Sequence, residues 1–153
     1  MRISTEGLRA RHRRLIDLLA HDGDLEANDL DPDDSPAAFD FRIKAPGGAL
    51  GHLVSFRYFE RYDRVGMAWQ MVEYVYLVSR QNGNGQFEYH WHPLPWSAGR
   101  AVLHLHCQPP DGPRGHFRGH VILLEEARVD LLRRYAAGAP VDCGNLFPLS
   151  SSR

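Results

Sequence analysis

The chain has 153 residues, roughly the length of one domain, and a chain of this size buries a single hydrophobic core without needing a metal or a disulfide scaffold. Its formal net charge is −1, with 18 basic and 19 acidic residues, so the overall field draws the molecule neither to nucleic acid nor to an anionic membrane. Arginines at positions 9, 11, 13 and 14 interrupt every apolar run near the N-terminus, and we therefore expect neither a signal peptide nor a membrane span.

The two cysteines, Cys107 and Cys143, lie 36 positions apart and form no C-x-x-C motif. This spacing favours reduced thiols over a disulfide scaffold. We therefore expect a soluble, cytoplasmic protein, whose oligomeric state the sequence leaves open.

The N-terminal region predicts an amphipathic helix followed by an acidic segment. Ser4 is a capping candidate, apolar residues follow at helical spacing as far as Leu19, and Gly23 is a stop signal. The arginines of this helix are interpreted as a solvated outer face, with phosphate contacts as the alternative. Residues 22–36 are acidic and lack apolar periodicity, which predicts a linker or loop.

Residues 37–79 have the alternating pattern of β-strands. In the run over residues 53–62, Arg57 and Arg61 lie on the face opposite to an apolar row. Residues 67–79 are apolar on both faces, which is typical of a central, covered strand. Asn82-Gly83 then predicts a two-residue hairpin turn, because this pair tolerates the positive φ angles of a type I′ turn. That turn would pair Tyr74, Tyr76 and Val78 with Trp91, Tyr89 and Phe87, respectively.

The stretch from Phe87 to Val121 holds six of the nine histidines. Two pairs, His90/His92 and His104/His106, have i,i+2 spacing, so each pair shares one face of its strand. Apolar rows alternate with both pairs, and an antiparallel pairing that buries both rows must bring the histidine pairs together on the other face. The sequence therefore predicts one shared patch, which consists of Glu88, His90, His92, His104 and His106.

Residues 125–137 predict a second helix that ends at Gly138, and residues 139–153 predict an irregular tail. We therefore predict one α+β domain over residues 1–138. It comprises an N-terminal helix, a curved and mostly antiparallel meander of five or six strands, and a C-terminal helix packed on the apolar face of the sheet.

The order of these segments resembles the TumE-type toxin family of bacterial and archaeal toxin–antitoxin operons. The resemblance covers about residues 50–135 and is carried by Phe87 to His92, Val102 to His106 and Gly115 to His120. One departure is that His104-Leu105-His106-Cys107 replaces the Arg-aromatic-Asp-Asn run common in that family. The resemblance implies a small toxin with a cognate antitoxin as its protein partner.

One hypothesis for the histidine face is metal-independent cleavage of RNA. One neutral histidine would accept the 2′-hydroxyl proton and a second, protonated histidine would donate one to the leaving oxygen, roles that suit an unperturbed pKa of about 6.5. Aromatic side chains would stack on single-stranded RNA. The catalytic candidates are His90, His104, His116, Arg118 and His120, and the substrate-binding candidates are Arg57, Arg61, Trp91 and Trp96.

Two further hypotheses stay open. Three imidazoles from the two pairs would suit zinc and leave its fourth position free, as in catalytic zinc sites; the candidate ligands are His90, His92, His104 and His106. Alternatively, the histidine face has no chemistry and binds a protein partner, as in an antitoxin, an immunity protein or an adaptor.

Overall fold

Two helices and eight strands follow one another in the computed structural model, which describes residues 2–31, 33–44, 54–80, 85–94, 97–136 and 141–149. The elements are β1 (Arg2–Ile3), α1 (Thr5–Leu19), β2 (Asp24–Ala27), β3 (Ala37–Lys44), β4 (Val54–Val65), β5 (Ala68–Arg80), β6 (Gln86–Pro93), β7 (Ala101–Gln108), β8 (Gly115–Arg118) and α2 (Leu124–Ala136). Within the described ranges, no helix is both long and apolar enough to cross a membrane.

The strands form one antiparallel sheet in the order β2-β3-β4-β5-β6-β7-β8, and β1 pairs with β5 beside this path. The predicted α+β meander is confirmed, with more strands than the predicted five or six. One extra strand, β2, lies in the acidic segment that was predicted as a linker or loop. It pairs with β3, and an ion pair of 2.6 Å between Glu26 and Lys44 joins the two strands.

The predicted register around β6 is confirmed on both sides. Tyr76 lies opposite Tyr89 in the β5–β6 pair, and His90 lies opposite His104 in the β6–β7 pair. The Asn82-Gly83 turn lies outside the described residues. A β-bulge shifts the β4–β5 register after Arg61. In a regular strand an odd and an even position face opposite sides of the sheet. Because of the bulge, Met71 and Tyr74 are nevertheless both buried in the core.

Both helices contribute to the hydrophobic core on one face of the sheet. Ser4 caps α1 by accepting a hydrogen bond of 3.0 Å from the Gly7 amide, as the sequence predicts for a capping residue. Helix α1 buries Leu8, Leu15 and Leu19, and α2 buries Leu124, Ala127 and Leu131 in the same cluster as the inward-facing strand residues. The helices leave the opposite face of β6, β7 and β8, which carries the histidines, uncovered by this core.

One arginine of α1 is not on the solvated face that the sequence pattern predicted. Arg11 is buried and donates hydrogen bonds to both carboxylate oxygens of Glu60, at 2.6 and 3.1 Å. Tyr62 and Tyr76 donate to the same carboxylate at 2.6 and 2.7 Å. Arg9 and Arg13 are exposed, so the solvated-face prediction holds for them.

The C-terminal segment is more ordered than the predicted irregular tail. The Arg118 amide donates to the Phe147 carbonyl at 2.8 Å, and the Leu149 amide donates to the His116 carbonyl at 3.0 Å, so residues 147–149 extend the sheet beyond β8. A disulfide joins Cys107 on the core face of β7 to Cys143. The prediction of reduced thiols is therefore wrong for this structure, because spacing along the chain does not report that the tail returns to the sheet.

Candidate metal centre

Three histidines from two neighbouring strands lie together on the outer face of the sheet. His90 comes from β6, and His104 and His106 come from β7, directly opposite His90 and Glu88. The ring centroids are 4.2 Å apart for His90 and His106 and 5.1 Å apart for His90 and His104. Each residue offers a ring nitrogen within 4.8 Å of the others, and all three are buried. The predicted shared histidine face is confirmed, and we call His90, His104 and His106 the histidine trio.

In His90 and His104 one ring nitrogen is hydrogen-bonded to a protein oxygen, and in His106 one ring nitrogen contacts the Arg114 guanidinium. His90 Nε2 contacts the Glu88 carboxylate, and His106 Nδ1 lies 3.4 Å from the same carboxylate. His104 Nδ1 donates to the Val102 carbonyl at 2.9 Å. Carboxylate and carbonyl partners of this kind orient the histidine ligands of protein metal sites.

The other nitrogen of each ring is buried without a hydrogen-bond partner. These atoms are His90 Nδ1, His104 Nε2 and His106 Nε2. An unpaired buried polar atom costs about 1–3 kcal/mol, so three of them in one cluster are unusual unless they serve a ligand. The pattern of one oriented and one unpaired nitrogen per ring matches a set of metal ligands.

The charge state of the cluster also suits a metal. Desolvation by burial lowers the pKa of His104 to about 4, and burial likewise lowers the pKa of His90 below its usual value. Burial raises the pKa of Glu88, but hydrogen bonds with His106 and His90 outweigh it and hold that pKa below its usual range. Near neutral pH, His90 and His104 are therefore neutral imidazoles, the form that binds metal, beside an ionised Glu88.

The spacing fits zinc after a small adjustment. Tetrahedral zinc with Zn–N bonds of about 2.1 Å places its ligand nitrogens about 3.4 Å apart, so the rings need to move inward by about 1 Å from the 4.8 Å limit. His92, the fourth predicted ligand, is not one of the three residues whose ring nitrogens lie within 4.8 Å of one another, and its Nδ1 donates to the Pro93 carbonyl at 2.7 Å. The trio therefore offers three candidate ligand nitrogens.

Strand β8 forms one rim of the cluster. His116 lies opposite His106, with ring centroids 4.3 Å apart, and Arg118 lies opposite His104. Arg114 donates to Glu88 at 2.6 Å and also contacts His106 Nδ1. The sequence analysis missed Arg114, although its i,i+2 alternation with His116 and Arg118 was a signal that it shares their face.

His120 and Trp91 do not belong to the site as the structure places them. His120 packs its ring 6.0 Å from Tyr89 on the core face, because β8 ends at Arg118 and its alternation does not continue to position 120. Trp91 also lies on the core side, with its ring 6.0 Å from that of Tyr74. Trp96 lies outside the described residues.

The two arginine candidates of β4 are likewise separate from the histidine trio. Arg57 forms an ion pair with Asp40 at 3.0 Å, and Arg61 forms one with Glu73 at 3.4 Å. Both arginines lie on the outer face, but β5 separates their strand from β6. Arg57 is paired with a residue of β3 and Arg61 with a residue of β5, and neither arginine contacts the histidine trio.

Comparison with protein-family models, curated proteins and solved structures finds no match to this chain. The resemblance to the TumE-type toxins therefore stays a prediction from the sequence, and the function has to be argued from the geometry of the histidine face.

Proposed function

We propose that this protein binds a divalent transition metal, best zinc, through His90, His104 and His106. The observation that carries the proposal is the set of three buried, unpaired ring nitrogens on neighbouring strands, with the second nitrogen of His90 and His104 hydrogen-bonded to Glu88 and the Val102 carbonyl and that of His106 in contact with Arg114. Imidazole ligands suit zinc, and the neutral state of His90 and His104 removes the need to displace a proton from them.

A three-histidine site keeps one metal position for water or substrate, whereas structural zinc sites have four protein ligands. Zinc in such a site acts as a Lewis acid and lowers the pKa of its bound water to about 7. The chemistry proposed for this face is therefore metal-assisted hydrolysis, in which His90, His104 and His106 would hold the metal.

The metal-independent ribonuclease is less well supported by the same geometry. Its mechanism needs one protonated histidine beside a neutral one, but the pKa values of both His90 and His104 are lowered, and both rings are neutral near neutral pH. RNA as substrate, a cognate antitoxin and a cytoplasmic location stay predictions from the sequence. The disulfide argues against the last of these, because such bonds persist mainly in oxidising compartments.

Metal analysis of the purified protein and of two matched variants tests the proposal. His104→Ala should abolish stoichiometric zinc binding, whereas His120→Ala, on the other face of the sheet, should retain it. Incubation with RNA in the presence and absence of a chelator separates the two chemistries, since chelator-resistant cleavage would favour the acid–base ribonuclease. Equal zinc content in both variants, or none in the wild type, would contradict the proposed site.

A further inference from the structure

The rim of the histidine trio is a row of basic side chains on one edge of the sheet. Arg114, His116 and Arg118 occupy alternate positions, Gly115 and Phe117 lie between them, and Gly119 follows. His116 and Arg118 are exposed, and the Arg114 side chain is 44% exposed. This alternation presents the three basic side chains beside the histidines while Phe117 packs against the hydrophobic core.

Close packing of the backbone holds Arg118 beside His104. The two residues are directly opposite in the β7–β8 ladder, where side chains on one face have Cβ atoms about 4.5–5.5 Å apart. The next residue, Gly119, lies so close to β7 that a Cβ atom there would come within 2.7 Å of the His104 amide nitrogen. A glycine at this position therefore permits the end of β8 to lie against the strand that carries two members of the trio.

The arginines of this rim differ in what they bind. Arg114 is paired with Glu88, the one carboxylate that contacts the histidine trio within the described ranges. The guanidinium of Arg118 has no hydrogen bond or ion pair with any residue of the described chain, and only its backbone amide is engaged, by Phe147. Arg118 is thus an available cation next to the proposed metal.

A loaded site would be strongly positive. Imidazole ligands carry no negative charge to compensate a divalent ion, and Glu88 is already shared with Arg114. Both the open metal position and the Arg118 guanidinium would then favour a negatively charged ligand, and a guanidinium binds carboxylates and phosphates with particular strength.

We infer that the ligand of this site is an oxyanion, a phosphate group or a carboxylate, with one oxygen on the metal and another on the Arg118 guanidinium. This inference rests on the proposed metal centre. It assigns Arg118 as a ligand-binding residue, and it assigns the Arg114 guanidinium to the rim that favours entry of an anion.

A titration of the cobalt-loaded protein with inorganic phosphate tests the inference. Cobalt(II) replaces zinc in imidazole sites, and its visible absorption changes when an anion enters its coordination shell. We expect phosphate to change the spectrum of the wild-type protein in a saturable way, and acetate to do the same if carboxylates are accepted. Arg118→Gln should bind cobalt as the wild type does but bind phosphate about tenfold more weakly, since a charge-assisted hydrogen bond is lost.

Two controls make the outcomes distinguishable. Arg13→Gln, at an exposed position of α1, should leave both cobalt and phosphate binding unchanged, and Arg118→Lys should recover part of the phosphate affinity. Cobalt binding without any spectral response to either anion, or equal phosphate affinity in Arg118→Gln and the wild type, would overturn the inference and leave the metal centre standing. Absence of cobalt and zinc binding in the wild type would instead overturn the metal centre and the inference together.

Discussion

The molecule contains two buried polar clusters that are built from similar parts and differ in how completely they are paired. On the core face, Arg11 and two tyrosines satisfy both oxygens of Glu60, which is 0% exposed. On the outer face, Glu88 is 3% exposed and binds Arg114 and two histidines, but three ring nitrogens around it have no partner. The Glu60 carboxylate is fully paired within the chain, whereas the histidine trio beside Glu88 keeps three unpaired ring nitrogens.

This contrast separates a structural network from a binding site. Buried polar groups in folded proteins are normally hydrogen-bonded, and a network that satisfies all its members stabilises one arrangement of the core. A cluster that keeps several donors or acceptors unpaired costs stability, and such a cost is common at functional sites. We therefore expect the Glu60 cluster to control stability and the Glu88 cluster to control metal binding.

The largest expected effect comes from removing one partner of the core cluster. Arg11→Ala leaves the Glu60 carboxylate buried without its cation, so we expect the free energy of unfolding to fall by about 3–5 kcal/mol in urea denaturation. The exposed control Arg13→Ala should change it by no more than about 0.5 kcal/mol. Equal effects of the two variants would show that Arg11 is solvated, as the sequence pattern had indicated.

The disulfide should have the next largest effect, and it is attached to β7, the strand that carries His104 and His106 on its other face. It connects residues 36 positions apart, so its reduction, or a Cys107→Ser and Cys143→Ser double variant, should lower the free energy of unfolding by about 2–4 kcal/mol. Hydrogen exchange should also become faster at the Arg118 and Leu149 amides, because the tail is no longer held against β8. Unchanged exchange at these amides after reduction would mean that the hydrogen bonds alone hold the tail.

The smallest expected effect near neutral pH is on the pH dependence of the metal-free protein. The pKa of His104 falls from the usual 6.5 to about 4 on folding, so below about pH 6.5 the unfolded chain takes up a proton that the folded chain refuses. The free energy of unfolding is therefore unaffected by His104 above about pH 6.5 and decreases as the pH falls from there toward about 4. His104→Gln should flatten this decrease by up to about 1.4 kcal/mol per pH unit, and His120→Gln should not. An unchanged profile in His104→Gln would show that this ring titrates normally.

Much of the histidine site could be predicted from the sequence because strand alternation is a local rule. Apolar rows at Tyr89 and Leu105 had to face the core, and this requirement alone placed His90 and His104 opposite each other on the outer face. The β5–β6 pairing of Tyr76 with Tyr89 was predicted from a second local signal, the two-residue Asn82-Gly83 turn, whose length fixes the register of a hairpin.

The sequence-based predictions failed where strand or helix periodicity stops or where the structure depends on contacts between distant parts of the chain. The alternation of β8 stops at Arg118, so His120 turns to the other face, and the β4–β5 bulge shifts a face that strict alternation would have kept. Arg11 resembles its exposed neighbours in sequence, and only the packing of α1 against β4 reveals its partner Glu60. The disulfide likewise depends on the return of the tail to the sheet, a contact between distant parts of the chain.

X-ray absorption spectroscopy of the zinc-loaded protein tests the central claim most directly, because it reports the number and type of atoms around the metal. We predict three imidazole nitrogens at about 2.0–2.1 Å and one further oxygen from water or a bound anion. His104→Ala should lose this signal, and His120→Ala should keep it. A shell made only of oxygens, or a wild-type protein that binds no zinc, would contradict a metal centre built from His90, His104 and His106.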